Sequence, residues 1–577
     1  MSRQEERMKG VPSEEKPWLE FYDKEAIEAT VFKGTMWELL YQNNKEYVDD
    51  IALIYYGHEY TYKQLFENIS RASKAFSELG VKKGDIVIMC TVNTPEMVYA
   101  LYGLNCLGAI ANMIDPRTNV SGIREYIMES QAALIITVDS MYDKIQKATE
   151  GTEVRCIIAV SPAESIYGIP KVLYRIKNGL FVKKDSKKLT WKEFIDREKE
   201  ERNTGNRGYE ENTCAIIAHT GGTTGTPKSV MLSNENVNSI VHNYKCIDIP
   251  IERGQRYFND LPPFIMYGLC FALHTALCLG LKVILYPVFD SRKFPKQFKK
   301  YMPNHFCALP DHLRYLASSS VSASLNLAQL ITVGVGGDSL DNKLEREVNQ
   351  YLKEHNCKYQ VFKGYGMTEL SATAISSCVS ANAIGSIGIP LILNTVKIVD
   401  CDSLEEVGYN QTGEIWISGP SVMMGYLKNE IETEKTIVKD KMGNSWIRTG
   451  DLGYMTPEGL IYHRGRIRRI YMTAYKGQPA KIFPLLVEEV CKNVQGVKEC
   501  CVVGKKRENS DYYEAVAFIV KEDNLIGDVD IVAELGRMCK KSLPTYMIPA
   551  KYHFIDELPR TAIGKVDFCN LEKKIAE

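Results

Sequence analysis

The chain has 577 residues, 45% of them apolar, with 71 Lys and Arg set against 72 Asp and Glu. That length and apolar content support a large globular core in about three to four compact units, and the near-zero charge balance excludes a global field for nucleic acid or anionic membrane. Sixteen scattered cysteines without a Cys-x-x-Cys pair, and nine histidines without metal-ligand spacing, exclude a zinc centre and a disulfide framework and point to buried thiols in a reducing compartment.

Residues 1–16 are charged and carry no apolar segment, so no secretory signal is read and the cytoplasm is the default expectation. A polar arm runs to about 35, with Trp18, Phe21 and Tyr22 available to dock on the body. A helix starts at Thr35, and residues 52–62 form a strand-turn-strand that turns at Gly57-His58. An amphipathic helix over 62–79 closes at Gly80. A strand over 86–90, a helix opened by Pro95 and a strand over 109–113 follow. The uncharged run 97–114 has membrane length, but Gly103, Asn105, Gly108 and Asn112 dilute it. A helix leading into a buried strand accounts for the run, and no stable membrane insertion is expected. Further strands over 133–138 and 155–160 continue the alternation that indicates α/β layers, and 168–212 reads as a less regular surface excursion.

The stretch 216–233 is richest in chemistry. An apolar strand breaks into a loop of Gly, Thr and Pro, then Lys228 and Ser229 precede a second apolar run. Gly221, Gly222 and Gly225 let backbone N–H groups turn toward one point, Thr220, Thr223, Thr224 and Thr226 add hydroxyls, and Lys228 adds a mobile positive charge. Those are the parts of a polyphosphate cradle. A Walker-type loop is disfavoured because Pro227 precedes the lysine and Val230, Met231 and Leu232 look extended rather than helical. The plain alternative is an ordinary Gly/Thr-rich surface loop.

Beyond it the pattern predicts a helix over 237–246, a strand end at 261–264, a helix over 268–280 and a strand over 281–286. Residues 329–338 are a strand running into a glycine turn at Gly337, Asp338 and Ser339, with a helix after it. Such turns at the carboxyl ends of strands are where open α/β sheets hold ligands, and a second lies at Gly364, Tyr365, Gly366, Met367, Thr368 and Glu369. From about 385 to 466 short alternating strands suggest a small β subdomain. After 466, helices over 485–493 and 530–541 interleave with strands over 497–503 and 514–520; adjacent Cys500 and Cys501 place one side chain of the pair in a core. The fold class is α/β, with residues 1–466 as a large domain of layered sheets plus the β subdomain, and 467–577 as a small mobile α+β domain. Taken singly, Glu369 could cap a helix, Asp451 could sit in a turn and Lys565 could be a solvated loop lysine.

Taken together, the loop Thr220 to Lys228, then 364–369, Gly413-Glu414, Gly419-Pro420, Gly425-Tyr426, 448–453, Gly465-Arg466 and 559–565 occur in an order that resembles the adenylate-forming superfamily of acyl-CoA synthetases, peptide-synthetase adenylation domains and luciferases. The resemblance runs from about residue 35 to the end. It implies that a carboxylic acid attacks the α-phosphorus of ATP, pyrophosphate leaves, and coenzyme A captures the acyl adenylate. It also implies residue roles. Thr220 to Lys228 would hold the β- and γ-phosphates, Tyr365 would lie against adenine, and Thr368 would donate to the α-phosphate. Glu369 would hold Mg²⁺, Asp451 with Arg466 beside it would take the ribose hydroxyls, and Lys565 would bridge the carboxylate and the α-phosphate. The turn Gly337, Asp338 and Ser339 and the residues Gly364, Gly366 and Met367 would belong to the nucleotide site. The small domain would swing about a hinge near 466–469.

Two departures stand out. Arg469 occupies the hinge position where the family carries Asp or Lys, with 475–481 longer than the usual glycine turn, and Ile265 stands where many relatives have His or another aromatic. The acid pocket is expected from 264–268, 333–337 and the surroundings of Tyr365, and suits an acid with an apolar body. A carrier-protein phosphopantetheine acting in trans as acceptor, and a noncatalytic nucleotide-binding relative, are the other readings of the sequence; oligomeric state is not legible in it.

Overall fold

A computed structural model describes residues 10–166, 186–197, 209–220, 227–508, 510–522, 530–561 and 565–576. Among them, one sheet of nine strands runs in spatial order Ile389–Pro390, Ile375–Ser376, Phe362–Tyr365, Thr332–Val335, His305–Ala308, Arg256–Asn259, Lys282–Leu285, Ile51–Tyr55, His58–Thr61. A second, of eight, runs Gly425–Tyr426, Ser229–Ser233, Cys214–His219, Ile110–Met113, Ile86–Cys90, Leu134–Val138, Cys156–Val160, Lys188–Thr190. In both, the inner strands are parallel and antiparallel strands lie at the edge near the site. Parallel strands covered on both faces read as continuous apolar runs, as Leu134–Val138 and Cys156–Val160 do, with every residue buried.

Local chemistry fixes the flanking helices. Thr61 and Gln64 form a reciprocal capping box on helix Tyr62–Glu78, which buries Leu65, Ile69, Ala72 and Phe76. The next helix, Pro95–Cys106, is buried on all sides, and a Cβ added at Gly103 would lie 3.0 Å from the Ser73 nitrogen. Close packing of two helices therefore explains the uncharged run, and no helix among the described residues is long and apolar enough to cross a membrane.

Three local expectations are corrected. The first hairpin turns at Tyr56-Gly57, not Gly57-His58, because both residues adopt positive φ, 49° and 91°, in the two-residue geometry that matches strand twist. The described part of 168–212 is not merely an excursion: Lys188–Thr190 extends the second sheet and helix Trp191–Ile195 seats Phe194 4.6 Å from Phe76. The long turn expected at 475–481 is part of a hairpin, Tyr471–Tyr475 with Gln478–Ile482, turning at Lys476-Gly477.

The β subdomain pairs Thr395–Val399, Gly413–Ser418, Ser445–Met455, Ile437–Lys439 and Ile461–Arg466 in antiparallel fashion. The N-terminal arm straps it to the first sheet. Ser13 donates to Glu406 at 2.9 Å, Tyr409 donates to Glu15 at 2.7 Å, and the Tyr22 hydroxyl donates to the Pro390 carbonyl at 3.0 Å. Trp18 has no exposed surface and packs on Gly459, where a Cβ would come within 2.8 Å of the Trp18 nitrogen.

The small domain has its own sheet, Val497–Lys506, Tyr513–Lys521 and Lys551–Phe554, and two apolar cores. Cys500 packs with Val487, Val502 and Leu535 on one face, and Cys501 with Val503, Phe518 and Leu571 on the other. Strand alternation therefore buries both thiols, where the sequence assigned a core to only one.

Because Trp18 anchors the arm, Trp18→Ala is expected to cost about 3–5 kcal/mol of the arm's docking energy. Thermal unfolding and limited proteolysis within 10–30 test this; unchanged protection would show the arm to be passive.

Candidate active site

The carboxyl ends of the two parallel sheets face a common region. Strand Phe362–Tyr365 ends at Gly366, where a Cβ would sit 1.8 Å from the Ala372 carbonyl, so only glycine lets the chain double back. The turn Thr368–Leu370 follows and leaves Glu369 only 7% exposed. The Tyr426 hydroxyl donates to its carboxylate at 2.8 Å, and the Met423 N–H donates to its carbonyl at 2.9 Å. Burial raises the Glu369 carboxyl and the Tyr426 hydrogen bond offsets part of that rise.

Tyr426 lies on the strand paired with Ser229–Ser233, which places it under Lys228. The Lys228 ammonium sits 4.7 Å from the centre of the Tyr426 ring and pairs with Glu432. A strand, not a helix, follows Lys228, as expected of a strand-loop-strand. The loop's neck is closed by two bonds: the Thr220 N–H donates to the Lys228 carbonyl at 3.0 Å, and the Lys228 N–H donates to the Thr220 hydroxyl at 3.0 Å. Gly221, Gly222, Thr223, Thr224, Gly225 and Thr226 lie outside the described residues.

Below the neck, paired residues His219 and Ser229 form a network that sequence reasoning missed. The Ser229 hydroxyl donates to Glu129 at 2.5 Å and lies 3.2 Å from His219 Nδ1, while His219 Nε2 lies 2.7 Å from the Asn112 side-chain oxygen. Burial pushes the imidazole down to about 3, which keeps it neutral.

Asp451, only 3% exposed, gathers the other side of the region. Tyr365 donates to one carboxylate oxygen at 2.7 Å; Arg466 and His463 face the other at 3.1 and 3.5 Å. Burial pushes this carboxyl up, but the nearby His463 imidazole, the Arg466 charge and the Tyr365 hydroxyl outweigh it and hold it below its ordinary value. Asp451 and Arg466 meet because they are direct partners across an antiparallel pair. Glu414 fixes the preceding turn by accepting from the Gly450 N–H at 3.0 Å and pairing with Arg448 at 3.1 Å.

The other glycine turn has Gly337 at φ +79°, with Asp338 exposed and accepting from the Ser339 N–H at 2.8 Å. The helix after it, Asn342–Glu354, is capped by Asp341 and docks the small domain. Asn342 donates to Glu489 at 3.1 Å, Lys343 pairs with Glu522 at 2.7 Å, and Arg560 reaches Asp311 at 3.4 Å. These contacts bring Lys565 to the strand ends. The Lys565 N–H donates to the Thr561 hydroxyl at 3.2 Å; burial lowers its ammonium, and the charges it faces are Asp338, Arg466 and Asp451. Residues more than two hundred positions apart thus share one electrostatic environment.

Arg469 is not a free hinge residue. It follows Arg466 in the turn Ile467–Arg469, pairs with Glu488 and donates to the Val502 carbonyl at 3.0 Å, while Glu488 accepts from the Val502 N–H at 2.8 Å. Ile265 is half-buried, and its carbonyl accepts from Gly268 and Leu269 at 2.8 and 3.0 Å. Among the described residues no cluster of three or more His, Cys, Asp or Glu side chains is built to hold a metal. Glu369 is thus a single buried hard donor, which fits Mg²⁺ completed by phosphate oxygens rather than by a protein cage.

Comparison with known proteins finds matches along most of the chain. The model of the AMP-binding enzyme family covers residues 40–427, and that of the AMP-binding enzyme C-terminal domain covers 486–565. A long-chain-fatty-acid–CoA ligase of Bacillus subtilis (strain 168) is 27% identical over 96% of this chain and 97% of its own length. A 4-coumarate–CoA ligase-like 2 of Arabidopsis thaliana is 26% identical over 88% and 85%. The crystal structure of the anthranilate CoA ligase AuaEII with anthranoyl-AMP superposes with a TM-score of 0.80 at 19% identity, covering 96% of this chain and 99% of that one.

Since the folded Asp451 carboxyl lies below its unfolded value, its contribution to stability is present above the unfolded value and is lost as pH falls through the lowered folded one. Unfolding temperature should therefore drop as pH falls below about 4 in the wild type, and the drop should be shallower in Asp451→Asn. Parallel acid limbs in the two proteins would contradict this coupling.

Proposed function

The chain belongs to the AMP-binding enzyme family, and from that premise we infer that it is an AMP-forming acid:CoA ligase: it activates a carboxylic acid with ATP as an acyl adenylate, releases pyrophosphate, and forms a thioester with coenzyme A. The observation that carries this reading is the convergence of Tyr365, Asp451 and Arg466 at the strand ends, whose charges also act on Lys565 of the small domain.

In the first half-reaction a carboxylate oxygen bonds to the α-phosphorus while the bond to the pyrophosphate oxygen breaks. Negative charge gathers on the α-phosphate oxygens and on the leaving group, and the residues required are fixed donors and cations rather than a covalent nucleophile. In our reading Lys565 spans the incoming carboxylate and the α-phosphate. Its partly desolvated ammonium, facing Arg466, gains more from that anion than a solvated lysine would. Thr368 donates to the α-phosphate, and Tyr365 lies against adenine. Asp451, held as an ionised acceptor, takes the ribose hydroxyls with Arg466 beside it. Thr220, Lys228 and the intervening loop grip the β- and γ-phosphates, and the turn Gly337, Asp338, Ser339 with Gly364, Gly366 and Met367 lines the nucleotide. Glu369 would hold Mg²⁺, which supplies charge neutralisation at the phosphates when bound.

The second half-reaction brings the thiol of coenzyme A to the acyl carbon and expels AMP. We place the domain boundary at 466/467 and the turning point in the turn that follows; the Arg469–Glu488 pair then rotates with the small domain and gives the hinge a firm grip on it. Sixteen cysteines, none of them in a disulfide among the described residues, support a reducing compartment such as the cytoplasm.

Lys565→Ala is expected to slow acid-dependent ATP–pyrophosphate exchange by about 100-fold to 1000-fold while a premade acyl adenylate is still converted to thioester. Equal losses in both half-reactions would remove the assigned role. Because the Lys565 ammonium is lowered by burial, exchange should also fall as pH rises through that lowered value, and Lys565→Arg should lose this alkaline limb.

A further inference from the structure

Lys228 closes the neck of the glycine-threonine loop, and its ammonium already has a partner that the first half-reaction does not use. The Lys228 Nζ donates to Glu432, on the short helix Glu430–Thr436, and stands 4.7 Å from the centre of the Tyr426 ring. Among the described residues Glu432 is the one carboxylate paired with it.

The backbone fixes both ends of this pair. Tyr426 is the strand partner of Val230, and the Leu427 N–H donates to the Ser229 carbonyl at 2.8 Å, so the segment leading into the helix is stitched to the strand that leaves Lys228. The Asn429 side chain accepts from the Glu432 N–H at 3.2 Å. The Thr433 hydroxyl accepts from the Tyr426 N–H at 2.9 Å and donates to the Asn429 carbonyl at 2.8 Å. Gly425 makes this approach possible: at φ +140° a Cβ there would lie 2.9 Å from the Thr433 methyl carbon. The carboxylate is therefore a permanent neighbour of the ammonium.

The side chains, by contrast, are free to part. Those of Lys228 and Glu432 are 27% and 29% exposed, where an ion pair is weak and screened by salt. Lys435 donates to the other Glu432 oxygen at 2.7 Å, so the carboxylate keeps a partner when Lys228 turns away. The bonds from Lys228 and Lys435 hold the Glu432 carboxyl down to about 2, and it stays ionised at neutral pH.

We propose that Glu432 is a built-in competitor of the phosphates: it reclaims the Lys228 ammonium, loosens the grip on the leaving pyrophosphate and so speeds its release. This rests on the ligase reading above, in which Lys228 holds the β- and γ-phosphates. A polyphosphate can meet the pair in two ways, and both have the same sign. If the ammonium leaves Glu432, the pair is broken; if it keeps both partners, a phosphate lies within about 6 Å of a carboxylate of like charge. ATP has further anchors in its adenine and ribose, whereas pyrophosphate has only its own oxygens. The same weakening therefore leaves the substrate bound and lets the product go. Glu432 acts through Lys228 and is a positioning residue, touching no reacting atom.

The test measures the affinity for magnesium pyrophosphate and for ATP by calorimetry, with no acid present. Glu432→Gln is expected to bind pyrophosphate about 3-fold to 5-fold more tightly than the wild type, the change that a weak exposed pair supplies. Glu434→Gln removes the same charge from an exposed position of the same helix without touching Lys228, and is expected to shift the affinity by less than about 1.5-fold. In a Lys228→Gln background Glu432→Gln is expected to have no effect, because what it competes for is gone. A carboxylate that only held the helix would, when removed, weaken binding or leave it unchanged. Either result overturns the proposal, as does an equal gain in Glu434→Gln. Should Glu432→Gln fail to fold, Glu432→Asp withdraws the charge by one methylene and is read for a smaller gain of the same sign. A wild type that binds neither ATP nor pyrophosphate would remove the ligase reading and the proposal together; binding that Glu432→Gln does not tighten removes the proposal alone.

Discussion

One buried carboxylate ties the candidate site together. Asp451 is reached by Tyr365 from the first parallel sheet and by His463 and Arg466 from the β subdomain, while Lys565 of the small domain faces it. A charge so deep would ordinarily be driven toward its neutral form. Here a hydroxyl, an imidazole and a guanidinium together keep it ionised, the first delivered by the end of Phe362–Tyr365 and the other two by the single strand Ile461–Arg466. The carboxylate therefore depends on correct placement of the strand ends, and the strand ends are in turn held in register by it.

The two sheets explain why these groups converge at all. Parallel strands deliver all their carboxyl ends to one side, and the chain leaves those ends through glycine turns whose backbone no larger residue could follow. Gly366 and Gly337 serve this purpose in different ways, the first through contact with the Ala372 carbonyl and the second through its left-handed backbone. On the second sheet, the neck between Thr220 and Lys228 is closed by a strand pair and by the Glu129, Ser229 and His219 network beneath it. The residues at the two ends of that segment are therefore held firmly in place.

The small domain meets this platform mainly through polar contacts. Asn342, Lys343 and Asp311 of the large domain engage Glu489, Glu522 and Arg560, and these are solvent-reached pairs of modest strength. Such an interface can be exchanged for another without great loss. The Arg469–Glu488 pair is of another kind: Glu488 is nearly inaccessible and also accepts from the Val502 N–H, so breaking it would strand a buried charge. Weak contacts between the domains and a strong one at the connecting turn suit a part that moves as a rigid body.

Much of this was legible in the sequence. Alternating apolar runs and helical periods located most of the parallel strands of the two sheets, though not Arg256–Asn259 or His305–Ala308, and Pro95 marked the start of a helix. The ordered motifs gave the family, and they named Glu369, Asp451 and Lys565, because phosphate chemistry restricts which residue types can serve at those places. What the sequence lacked were signals for groups that work by position alone. Nothing local distinguishes His219 or His463 from ordinary strand residues, and Tyr426 and Ser229 were visible only as members of motifs; they matter because antiparallel pairing sets them beside Lys228, Glu369 and Asp451. The first hairpin turn is displaced by one residue from Gly57-His58 because Tyr56 takes the left-handed conformation, and 475–481 looked like one long turn because the pairing across Lys476-Gly477 has no local signal. The rest was hidden for one physical reason: distances between residues far apart in the chain, such as Glu369 to Tyr426 and Tyr365 to Asp451, are created only when the chain has folded.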